Sequence, residues 1–151
     1  TTLAVNATLS TGSYYVRIEL DDGNAARSTN AIITVSTSPT WSTSAGSIGT
    51  IAAGASVSLS VAASSDSNVT ITETTSVLTA NTDTPNSTMN LTLSGTPASS
   101  ATYNITGTAP SPTVATTYSF TLRATDAEGQ TADRIFSITI SVGATGAGGF
   151  N

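Results

Sequence analysis

Residues 1 to 36 alternate apolar and polar side chains along three short stretches, and three strands are too few to close a core. Thr2 to Leu9 sets Leu3, Val5, Ala7 and Leu9 against Ala4, Asn6 and Thr8, the period-2 pattern of a half-buried strand. Ser13 to Leu20 repeats the pattern, with Tyr14, Val16, Ile18 and Leu20 on one side and Tyr15, Arg17 and Glu19 on the other. After an Asp21-Asp22-Gly23-Asn24 turn, a third strand is expected from Asn30 to Ser36. Ordering a chain costs roughly 1.5 kcal/mol per residue, and pieces below about 40 residues seldom fold without help. The missing strands must come from elsewhere, and the pattern predicts that another copy of the chain donates them.

Composition narrows the class. The chain has 151 residues, enough for one full domain and a fragment. About a third of the residues are Ser or Thr and only 9% are charged, the makeup of extracellular all-β modules. The four basic residues, Arg17, Arg27, Arg123 and Arg134, cannot form the basic stripe that a phosphate backbone requires, so nucleic acid is not an expected partner. No apolar run approaches the roughly 18 residues of a membrane-spanning helix. Without Cys or His there is no disulfide, no thiolate nucleophile, no Ser-His-Asp triad and no zinc site built from those residues.

A boundary is expected near Ser36 to Thr40, where Pro39 interrupts the alternation just before Trp41. Seven strand-like segments follow at the rhythm of a β-sandwich: Ser47 to Ile51, Ser56 to Ala62, Asn68 to Glu73, Met89 to Ser94, Ala101 to Thr106, Thr117 to Thr125 and Arg134 to Val142. Val57, Leu59 and Val61, then Leu91 and Leu93, then Tyr103 and Ile105 are read as inward. Tyr118, Phe120, Leu122 and Ala124 are expected to face Phe136, Ile138, Ile140 and Val142. The expected organisation is an incomplete sandwich at 1–37, a complete one at 38–142 and a Gly-rich tail at 143–151.

The opening fragment is an internal repeat of the closing hairpin. Tyr14 to Leu20, the acidic turn and Ala31 to Ser36 parallel Tyr118 to Ala124, its turn and Arg134 to Thr139. Ala124-Thr125-Asp126-Ala127-Glu128-Gly129, followed by Asp133-Arg134-Ile135-Phe136-Ser137-Ile138-Thr139-Ile140, resembles the end of cadherin-like and dystroglycan-type Ig repeats. Pro39-Thr40-Trp41 is similar to their lead-in. The resemblance covers about residues 39 to 142 and implies an all-β, Ig/cadherin-like sandwich of the kind found in bacterial surface proteins and bacteriophage virions. It says little about activity, since such sandwiches carry many functions.

The resemblance also places Asp126 at a cadherin-type calcium position. Residues 36 to 40, however, offer only Ser, Thr and Pro where the cadherin linker supplies Asp and Asn. Asp126, Glu128 and Asp133, with Asp21 and Asp22, are therefore expected to cap hairpin turns or to pair with Arg123 and Arg134, with no metal and no cofactor. One Trp and four Tyr suggest no aromatic-lined cleft around a carboxylate pair, so no catalytic residue is assigned and no enzyme is expected. Trp41 reads as a packing residue. Asn6, Asn68, Asn86, Asn90 and Asn104 stand in Asn-x-Ser/Thr triplets and are candidate acceptors for N-linked glycans.

These readings predict a structural subunit of an extracellular, pilus-like filament whose partners are identical subunits. Leu3, Val5, Ala7 and Leu9 form the apolar side of the expected donor strand. The alternatives are a bacteriophage tail-fibre or capsid-decoration protein, and a carbohydrate-binding adhesion module.

Overall fold

A computed structural model describes residues 9–15, 17–19, 25–27, 33–80 and 88–142. The chain divides into two units, Thr1–Thr37 and Ser38–Asn151. Every regular element among the described residues is a β-strand.

In the first unit, β1 (Gly12–Tyr14) pairs antiparallel with β4 (Ile33–Val35), and β2 (Arg17–Glu19) with β3 (Ala25–Arg27). Both ladders are antiparallel, as the expected hairpin requires, and the return arm already pairs at Ala25–Arg27, ahead of the Asn30 start that its apolar run suggested. Glu19 sits opposite Ala25 with five residues between them, as Thr125 sits opposite Thr131 in the second unit. This turn register aligns Arg17 with Arg123 and Tyr14 with Phe120. Tyr14 pairs with Ile33 as Phe120 pairs with Phe136, but Ile33 lies eight residues after Ala25 and Phe136 five after Thr131, so the return arm of the first hairpin holds three more residues. The sequence parallel had set Tyr14 against Tyr118, two residues off. A two-residue slip preserves which face each side chain takes, so period-2 patterning alone cannot detect it.

The second unit contains β5 (Thr40–Trp41), β6 (Gly46–Ala52), β7 (Ser56–Glu73), β8 (Thr92–Gly95), β9 (Ala98–Thr108), β10 (Thr116–Thr125) and β11 (Thr131–Ser141). One sheet runs β5, the first half of β7, β9, β8. The other runs β6, β11, β10, the second half of β7, with β6 parallel to β11. Strand β7 belongs to both. Its ladder with β9 shifts register between Ser64 and Val69, and Thr70–Glu73 then pair with Leu122–Thr125. Two segments read as separate strands are thus one. The Ser64-Ser65-Asp66-Ser67 run resembles a turn but stays extended, because an irregularity lets the chain change sheets without reversing.

Between the sheets lies the core: Val57, Val61, Val69, Ile71, Leu91, Tyr103, Ile105, Tyr118, Phe120, Leu122, Phe136, Ile138 and Ile140 are all buried. Trp41 meets Phe136 edge-on at 5.2 Å, and Phe120 lies 6.3 Å from the same ring. Leu59 and Leu93 are only half-buried, and Val142 is exposed because β11 ends at Ser141, one residue before it. Met89 and Leu91 precede β8 and are held instead by N–H bonds to the carbonyls of Val77 and Leu78. This two-sheet arrangement, with an edge strand that starts on one sheet and continues parallel on the other, is an Ig-like β-sandwich.

Candidate functional site

The turn between β10 and β11 gathers the only acidic cluster of this size among the described residues. Asp126 opens that turn. Its N–H donates to the Gln130 carbonyl at 3.0 Å, its own carbonyl accepts from Gly129 N–H at 3.2 Å, and its Oδ1 accepts from Gln130 N–H at 2.7 Å. An Asp suits the position because its short carboxylate can satisfy the turn's free donor. The side chain is 5% exposed, and its Oδ2 is buried without a hydrogen-bond partner.

The irregular stretch of β7 runs beside this turn. Ser67 Oγ accepts from Ala127 N–H at 3.2 Å and donates to Glu128 Oε2, while Ser65 Oγ donates to Asp66 Oδ1 at 3.0 Å. Carboxylate oxygens of Asp66, Asp126 and Glu128 come within 4.8 Å of one another. Such a set offers hard oxygen donors of the type that suits a divalent cation. With one ligand oxygen from each, the three carboxylates nonetheless supply fewer than the six to eight oxygens that calcium takes. Asp66 lies sixty residues from Asp126 in sequence, and only the sheet change in β7 brings it near the other two.

Asp133 is not in the cluster. It forms a two-pronged ion pair with Arg123 directly across the β10–β11 ladder, with both contacts at 2.7 Å. The Arg123 hydrogen bonds and charge hold the Asp133 carboxyl below its ordinary range, while Asp133 raises the guanidinium. Both side chains are more than two-fifths exposed, so the pair is worth little in stability. Arg134 departs from expectation. It donates to the Thr43 carbonyl at 2.7 Å, tying the segment after β5 to β11. Trp41 Nε1 makes a parallel tie to the Ala132 carbonyl at 3.0 Å.

Of the donor-strand residues, Leu3, Val5 and Ala7 lie outside the described residues, and Leu9 is half-buried in no regular element. Asn6, Asn86, Asp21 and Asp22 also lie outside them. Asn68, Asn90 and Asn104 are all exposed.

No family model matches the sequence, and no curated protein does. The chain is similar to several solved structures. A part of an endo-fucoidan hydrolase of glycoside hydrolase family 107 superposes with a TM-score of 0.54 at 18% identity, covering 91% of this chain and 20% of that one. The BIgI domain of the beta protein from S. agalactiae, bound to CEACAM1, gives 0.45 at 19% identity over 70% of this chain and 98% of its own. An Ig domain from a titin and obscurin-like 1 complex gives 0.45 at 15% identity over 71% of this chain and 97% of its own.

Proposed function

We propose that the chain is a non-catalytic structural subunit of an extracellular filament, held together by exchange of the strand Thr2–Leu9 between identical copies. The observation that carries this reading is the hairpin of the first unit. Its Tyr14–Ile33 pair stands across the ladder as Phe120–Phe136 does, with three more residues between its members, yet Phe120 and Phe136 are buried whereas Tyr14, Ile33 and Val35 are half-buried. The hairpin has the pattern of a sandwich's closing pair without, among the described residues, the opposing sheet. A neighbouring subunit can supply that cover.

Burying Leu3, Val5 and Leu9 at roughly 1.5 to 3 kcal/mol each gives on the order of 5 to 9 kcal/mol per exchanged strand before entropic costs. Ladder hydrogen bonds add direction and register. The Ser/Thr-rich, charge-poor composition suits an extracellular setting, and no helix among the described residues is long and apolar enough to cross a membrane. A sugar-binding reading wants an exposed aromatic platform, but the single Trp packs on Phe136.

Deleting residues 1 to 10, or changing Val5→Asp, is expected to leave the second unit folded and abolish polymerisation, scored by electron microscopy and light scattering. Filaments of normal diameter from either variant would overturn the reading.

A further inference from the structure

Along Ser56–Ser60, the start of β7 has, among the described residues, a strand partner on only one of its two edges. On one side β9 pairs with it from Ser56 to Ser64. On the other, β5 reaches only Ala63 and Ser64 before the chain leaves for β6. Ala62 shows which backbone groups face that second side: its N–H donates to Thr43 Oγ1 at 2.8 Å, and its carbonyl accepts from Ser42 N–H at 2.9 Å and Thr43 N–H at 3.2 Å. Backbone direction alternates along an antiparallel strand, so Ser56, Ser58 and Ser60 point their N–H and C=O the same way. Among the described residues no strand pairs with them there.

This edge lacks the usual guards against pairing. Residues 56 to 62 hold no charge and no proline, and the register shift lies beyond Ser64. An apolar seam runs beside it. Leu59 on β7 and Ile48 and Ile51 on β6 are all half-buried, and a Cβ on Gly49 would sit 3.2 Å from Leu59 Cδ2, so the glycine lets the two edges approach.

We propose that this edge is the acceptor for the donor strand: Thr2–Leu9 of a second copy adds to β7 alongside Ser56–Ser60. The proposal rests on the strand-exchange reading above and specifies its acceptor as the complete unit of the neighbour. The occupant follows from sequence. Thr2–Leu9 is uncharged, like the edge, and its Leu3, Val5, Ala7 and Leu9 side faces the seam while Ala4, Asn6 and Thr8 join the hydroxyl face of Ser56, Ser58 and Ser60. Other segments of the chain are less suited by sequence. Residues 81–87 contain Asp83 and Pro85, and the tail from Gly143 has no alternating apolar side.

The chain has no cysteine, so engineered disulfides report the pairing directly in the full-length protein. Ser58→Cys is combined in turn with Ala4→Cys, Asn6→Cys and Thr8→Cys, and a second series replaces Ser58→Cys by Tyr15→Cys on the hairpin. After oxidation, at least one Ser58→Cys pair is expected to give a ladder of covalent oligomers on a non-reducing gel, with none from the Tyr15→Cys series. A ladder from the Tyr15→Cys series alone, an internal disulfide only, or no cross-link overturns the assignment. Ser58→Pro removes an outward N–H while sparing the β9 ladder, and is expected to keep cooperative melting but cut polymer yield at least tenfold. If Ser58→Pro polymerises normally while deletion of residues 1 to 10 abolishes filaments, only the acceptor is wrong. Filaments from the deleted chain refute strand exchange itself.

Discussion

Glu73, the last residue of β7, organises the turn that follows with a single carboxylate. Oε1 accepts from Val77 N–H at 2.6 Å, Leu78 N–H at 2.8 Å and Thr75 Oγ1 at 3.0 Å. Oε2 accepts from Thr79 N–H at 2.9 Å and Thr79 Oγ1 at 2.7 Å. Burial pulls its pKa upward, but the bonds from Leu78, Thr79 and Val77 together outweigh that and hold it below the ordinary carboxylate range. The unfolded chain therefore binds the proton more readily. Glu73's contribution is complete above the ordinary range and is lost as pH falls through the lowered folded value. Glu73→Ala should cost about 1 to 3 kcal/mol near neutral pH, since it strands partly buried N–H groups. Denaturant melts of Glu73→Gln and the parent at neutral and acidic pH should show a parental advantage that vanishes in acid; an advantage that persists there contradicts the assignment. At the core, Phe136 is fully buried between Trp41 and Phe120, and Phe136→Ala should cost about 3 to 5 kcal/mol in the same melts. Phe136 was legible from its alternating strand. Glu73 was not, because a carboxylate serving donors two to six residues ahead leaves no periodic trace.

At the scale of elements, the strands that read cleanly are those whose inward residues are large. Tyr118, Phe120, Leu122 and Ala124 on β10 and Phe136, Ile138 and Ile140 on β11 alternate as expected and are buried. Strand β7 reads in sequence as two because the crossing between sheets uses small and polar residues that also make turns. The acidic cluster was partly legible for the same reason: Asp126 and Glu128 share one turn, whereas Asp66 joins them only through that crossing. Strand β8 is placed by a close approach. A Cβ on Gly95 would lie 2.6 Å from the Tyr103 ring and 2.8 Å from the Thr102 carbonyl, and Tyr103 is itself buried. Backbone cannot yield as a side-chain tip does, so Gly95→Ala should destabilise the unit by about 1 to 3 kcal/mol, in the range of overpacking elsewhere. An unchanged thermal midpoint would show that β8 shifts freely along β9.

At the scale of the whole molecule, the contacts within the second unit predict that it folds without the first. Its two sheets share β7, its buried apolar side chains form one cluster, and Trp41 and Arg134 tie the first strand region to the last strand from within the same unit. None of these contacts passes through the acidic cluster. Asp126 is held by its own turn, and Ser67 and Ser65 engage Glu128 and Asp66 from β7. A cation at the three carboxylates would add a ligand to a turn already closed by hydrogen bonds. A chain cut to residues 38–142 should accordingly melt in one cooperative transition, with the same midpoint in chelator as in millimolar calcium. A ligand that bound only the folded state at a hundred times its dissociation constant would contribute about 2.7 kcal/mol, which such a melt readily detects. A midpoint that rises with calcium and falls with chelator would make the cluster a structural cation site, and a shortened chain without a cooperative transition would make the two units interdependent in folding.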